Sequence, residues 1–68
     1  MLAVQSSDLA GVDYDGRGTL TIAFHSRDIY EYYGVPESKY RGLMSARSHG
    51  KYFHAHIKGW YEYQKVRG

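Results

Sequence analysis

The sequence predicts an α+β fold: a three-stranded antiparallel β-meander, two short helices, and a C-terminal strand that completes the sheet. Three observations carry this expectation. Residues 19–24 alternate Thr-Leu-Thr-Ile-Ala-Phe, a period of two that sets Leu20, Ile22 and Phe24 on one face of a strand. Tyr40, Leu43 and Met44 then recur at i, i+3 and i+4, the spacing of one helical face. Alternation returns over residues 61–66. With 68 residues the chain has room for one small domain, 1–68. Such a domain buries only about 60% of the surface its unfolded chain exposes, so its aromatics, eight Tyr, two Phe and one Trp, are under pressure to pack.

Residues 1–7 show no periodicity, and a loose N-terminus over about 1–6 is expected. The first strand begins at Leu9, with Leu9, Val12 and Tyr14 as its packing residues. Asp15-Gly16-Arg17-Gly18 is a turn, since glycine supplies positive φ at little steric cost. A third strand over 28–33 follows a three-residue loop, His25-Ser26-Arg27, which pairs Phe24 with Asp28, Ile22 with Tyr30 and Leu20 with Tyr32. A loop of two or four residues shifts the phase and sets Glu31 beside Ile22, so burial selects the odd loop. The opposite face then carries Ile29, Glu31 and Tyr33.

Gly34-Val35-Pro36 stops the sheet, and Pro36 suits the first turn of a helix that ends near Ala46 or Arg47, with Glu37 favourably near its N-terminus. Ser48 caps a second helix, in which Phe53, Ile57 and Trp60 share one side and Lys51, His54, Ala55 and Lys58 the other. Gly59 is its expected C-cap.

Several function classes are excluded. Without cysteine there is no disulfide framework, thiolate zinc site or cysteine nucleophile. No apolar run approaches the roughly 18 residues of a spanning helix, and Met1-Leu2-Ala3-Val4 is too short for a signal h-region, so a soluble, cytoplasmic protein with no membrane contact is expected. His54 and His56 diverge by about 200° on a helix and His49 lies two turns from His56, so no metal site is expected. Asp13 and Asp15 flank a turn, and no acid–base pair, activated nucleophile or helix-mounted glycine loop for phosphate is present. The expectation is no catalysis, no cofactor and no small-molecule substrate.

Charge is unevenly divided. Residues 1–38 carry two cations (Arg17, Arg27) against six carboxylates, whereas residues 39–68 carry seven cations against Glu62 alone. A basic half bearing aromatics suits nucleic acid, because cations neutralise phosphates with counterion release and rings stack on bases. Arg41, Arg47, Lys51, His54, Lys58, Trp60, Tyr61 and Lys65 are the candidate contacts. The plainer alternative is that Lys51, His54 and Lys58 are the solvated face of an amphipathic helix. Tyr30 and Tyr32 belong to the core or its edge under the predicted register, while Tyr33, Trp60, Tyr61 and Tyr63 are the surface candidates.

Ile29-Tyr30-Glu31-Tyr32, Val35-Pro36, Tyr40, Leu43-Met44, Ala46, Gly50-Lys51-Tyr52-Phe53, Ile57-Lys58 and Tyr61-Glu62-Tyr63 occur in one order from about Ser6 to Val66. This string resembles the KTSC domain, a small bacterial module found at the C-terminus of some lysyl-tRNA synthetases and also as a free-standing protein. Arg27 stands where the family often has glycine at the hairpin tip, and Asp13 where a glycine commonly precedes the matching tyrosine. The resemblance implies a suggested RNA or nucleic-acid partner and no catalytic residues. A non-enzymatic binding module is thus expected, with RNA the favoured partner. The alternative is a protein-interaction or inhibitory module of bacterial or phage origin, since Tyr- and Trp-rich patches serve protein hot spots equally well.

Overall fold

The alternating segments pair as expected, and one more strand joins them. In the computed structural model, which describes residues 1–68, the elements are β1 (Leu2–Ala3), β2 (Leu9–Tyr14), β3 (Leu20–Phe24), β4 (Ile29–Tyr32), α1 (Glu37–Ser45), α2 (His49–His56) and β5 (Tyr63–Arg67). They build one five-stranded sheet whose spatial order is the chain order, with every pair antiparallel.

The odd hairpin loop sets the register of β3 on β4. Leu20 faces Tyr32 and Ile22 faces Tyr30, and the Phe24 amide donates to the Asp28 carbonyl at 2.9 Å. Arg27 closes this loop at φ 76°, a left-handed conformation that costs a non-glycine residue about 1–2 kcal/mol. At the β2–β3 turn the Asp15 carboxylate accepts from the amides of Arg17 at 2.7 Å and Thr19 at 3.0 Å. Those two amides hold its carboxyl below the ordinary aspartate range.

Leu9 and Val12 are three residues apart, which in a regular strand sends them to opposite faces. Both are fully buried, because a bulge between Leu9 and Gly11 inserts Ala10 as an extra residue and returns both to the core face. With Leu20, Ile22 and Tyr32 they meet Val35, Leu43, Phe53 and Ile57 in one cluster, each member at most 4% exposed. Each such side chain stabilises the fold by about 1.5–3 kcal/mol. The Tyr14 hydroxyl donates to the Val35 carbonyl at 2.6 Å, and its ring stacks on Tyr40 at 4.8 Å, so the end of β2 is tied to the entry of α1.

Two expectations are corrected. The N-terminus is not loose: Leu2 pairs with Val12 and Ala3 with Gly11, and the Val4 amide donates to Ala10. Glycine at position 11 leaves the space that Met1 occupies, since a Cβ there would lie 2.7 Å from the Met1 sulfur. The second correction concerns the helical placement of Trp60: it lies beyond α2 and not on the side shared by Phe53 and Ile57, though at 71% exposed it is at the surface as expected. Ser48 does cap α2, its hydroxyl accepting from the Lys51 amide at 3.2 Å. The helix closes at His56, however, and Gly59 at φ 85° redirects the chain before Trp60.

Candidate nucleic-acid interface

The helices cover only part of the sheet face they pack against. Over β2 and most of β3 the cover is close, and Leu9, Val12, Leu20 and Ile22 are inaccessible, while Phe24 at the end of β3 is only partly buried. Over β4 and β5 it is not, and rings take the place of aliphatic side chains. Cross-strand pairing puts Tyr30 opposite Lys65 and Tyr32 opposite Tyr63, so all four share the helix-side face. Tyr63 lies 5.7 Å from Tyr30 and 5.6 Å from Tyr32, ring centroid to centroid, and Phe53 meets Tyr32 edge-on at 5.3 Å. Phe24 contacts Tyr30 at 5.7 Å and Phe53 at 5.6 Å.

These rings form the floor and walls of a cleft of about 430 Å³, with His54, Lys58 and Gly59 on its rim. Tyr63 is 60% exposed. Tyr32 is nearly closed off, and burial pushes its hydroxyl up to about 12, with Tyr30 and Tyr63 adding to the effect.

A second depression of about 400 Å³ lies on the other side of the α2–β5 turn, lined by Lys39, Ala55, His56, Trp60 and Tyr61. Tyr61 is half-buried and packs against the core. The Trp60 indole N–H donates to the Ala55 carbonyl at 3.0 Å, which fixes the ring although most of it faces solvent.

Of the residues singled out from sequence, His54 and Lys58 reach the cleft and Trp60 and Tyr61 the second depression. Lys65 stands beside the cleft opposite Tyr30, its ammonium 3.6 Å from Asp28. His54 is 3.4 Å from the Asp8 carboxylate, and Arg41 is paired with Glu37 at 2.6 Å. Arg41, on α1, Arg47, in the α1–α2 connection, and Lys51, in the first turn of α2, line neither depression. Lys58 thus remains the cation at the cleft with no carboxylate partner. Exposed pairs such as these contribute about 0–1 kcal/mol, so their cations stay available to a competing anion.

Sequence reasoning did not assemble Phe24, Tyr30, Tyr32, Phe53 and Tyr63 into one cleft, nor bring Lys39 and His56 to Trp60. A signal existed for the first. Tyr30 and Tyr32 fall on one face by parity, and helices of nine and eight residues are too short to roof a five-stranded sheet, whereas Tyr63 joins that face only through the β4–β5 register. No three His, Asp or Glu side chains gather as a metal ion would require, and no helix is long and apolar enough to cross a membrane.

A five-stranded meander roofed by two short helices, with an aromatic cleft where the roof ends, defines a small α+β domain with one open aromatic face. The KTSC domain family model matches residues 5–66, and the chain belongs to this family. A crystallised KTSC domain protein from Yersinia pestis superposes with a TM-score of 0.91 and 37% identity, covering 94% of this chain and 92% of that one. Lysine–tRNA ligases from Nostoc sp. and Nostoc punctiforme are 46% and 42% identical over 48 residues, 71% of this chain. The matched stretch is 9% of the length of those ligases.

Proposed function

We propose that this domain is a non-enzymatic RNA-binding module acting in a bacterial cytoplasm. The observation that carries the reading is the aromatic cleft, with Tyr63 exposed beside the unpartnered Lys58. A base stacks on an exposed ring without regard to its identity, contributing about 1–3 kcal/mol, while Lys58 and Lys65 meet the adjoining phosphates. The matched segments of lysine–tRNA ligases support RNA over DNA, since those proteins by name act on an RNA.

Titrating fluorescently labelled single-stranded RNA and DNA at low salt, read by anisotropy, tests the proposal. Micromolar or tighter binding is expected, falling steeply as salt is raised, and Lys58→Glu weakens it roughly tenfold. Absence of binding to either nucleic acid at micromolar protein removes the reading.

A protein partner is the second reading, favoured by one observation: β5 is an edge strand, exposed along its whole length, and free to accept a partner strand. Pull-down from bacterial lysate with and without nuclease separates the two, because a partner that survives nuclease is held by protein contacts.

A further inference from the structure

The cleft and the Trp60 depression are joined. A shallow saddle of about 550 Å³ lies over the α2–β5 turn, lined by Gly59, Trp60, Tyr61, Glu62 and Tyr63. It shares Gly59 and Tyr63 with the cleft, and Trp60 and Tyr61 with the second depression. The three therefore adjoin around the turn as a furrow open to solvent. Trp60 and Tyr63 are three residues apart, so their Cα atoms lie within about 10 Å of one another. Both rings are mostly solvent-exposed, and each is held: Tyr63 by its contacts with Tyr30 and Tyr32, Trp60 by its bond to Ala55. Rings already fixed in place lose little freedom when a ligand stacks on them. Cations sit at the two ends, Lys58 at the cleft and Lys39 beyond Trp60, and neither has a carboxylate partner.

Resting on the RNA-binding reading above, we propose that this furrow is a track for a single-stranded nucleic acid of about four nucleotides, the short end of the usual site size. One base stacks on Tyr63 and another on Trp60, and Lys58 and Lys39 take phosphates on either side. Duplex RNA is refused, because its bases already stack on one another and offer the two rings no free face. Glu62, exposed in the saddle between the two platforms, makes no side-chain hydrogen bond or ion pair and opposes the passing phosphates. Its side chain limits affinity, while its only bond to the fold is the backbone carbonyl that accepts from the Tyr33 amide at 2.9 Å.

Trp60 is the only tryptophan, so its own emission reports stacking at one platform. The experiment titrates the full chain with oligouridylate RNA of increasing length from the dinucleotide, and with an RNA duplex, reading Trp60 fluorescence and, on labelled RNA, anisotropy. Trp60 emission is expected to be quenched, with affinity rising roughly tenfold from the dinucleotide to about four nucleotides and little thereafter. Trp60→Ala and Tyr63→Ala each abolish that rise, Glu62→Gln strengthens binding roughly two- to threefold at low salt, and the duplex leaves the emission unchanged. RNA binding at full strength with Trp60 emission unaltered, and with Trp60→Ala equal to the wild type, overturns the track and leaves the RNA-binding reading standing. Quenching by duplex as strong as by single strand overturns the track as well. No RNA bound at any length overturns both.

Discussion

One face of one sheet is finished in two different ways. Over β2 and β3 the helices press Leu43, Phe53 and Ile57 onto Leu9, Val12, Leu20 and Ile22, and water is excluded. Over β4 and β5 the same face carries Tyr30, Tyr32 and Tyr63 and ends in an open cleft. The side chains follow the cover. Aliphatic groups contribute only when buried, whereas tyrosine packs one part of its ring and leaves its hydroxyl wet. The closed half carries the fully buried side chains, and the open half is the face proposed above for recognition.

The largest effects that sharpen this contrast belong to the closed half. Ile22→Ala removes a fully buried side chain from the centre of the core and is expected to cost about 2–5 kcal/mol, a large share of what so small a domain has, measured by urea unfolding. In the open half Tyr63→Ala is expected to cost about 1 kcal/mol or less by the same measurement, because the ring is 60% exposed, while RNA affinity falls roughly tenfold.

Tyr32 sits on the boundary, and pH separates its two roles. Its hydroxyl is raised from 10.0 to about 12 in the folded protein, so the native state holds that proton more tightly than the unfolded chain does. The stability this represents is complete below pH 10 and is lost as pH climbs through about 12. Tyr32→Phe has no such proton to lose, and its stability is expected to decline less than the wild type's over that window in urea titrations at stepped pH. The smallest effect lies in the loop that joins β3 to β4. Arg27→Gly relieves the left-handed strain at φ 76° and, after the extra freedom of glycine in the unfolded chain, is expected to stabilise by about 0.5 kcal/mol, read as a small rise in Tm.

Much of the closed half was legible in the sequence because its information is local. Alternation marked β3, helical spacing marked Leu43 and Phe53, and the length of one loop set the β3–β4 register. β1 escaped because two residues have no period, and its place depends on Gly11, nine positions on from Leu2, leaving room for Met1. Trp60 was misassigned by extending a helical face past the point where Gly59 turns the chain. The charge division says little about space for a different reason. The acidic and basic halves looked separate in sequence, yet folding carries Asp8 to His54 and Asp28 to Lys65, partners 46 and 37 positions apart, which no local pattern reveals. The cleft was half legible, since parity put Tyr30 and Tyr32 on one face but could neither bring Tyr63 beside them nor say where the helical roof stops.

As proposed, the open half is a binding surface and not an unfinished core. Parallel measurement of RNA affinity and unfolding free energy for Tyr63→Ala against the wild type tests it most directly. A roughly tenfold loss of affinity for single-stranded RNA, with unfolding changed by about 1 kcal/mol or less, is the predicted result. Undiminished affinity, or a loss of stability equal to that of Ile22→Ala, contradicts it.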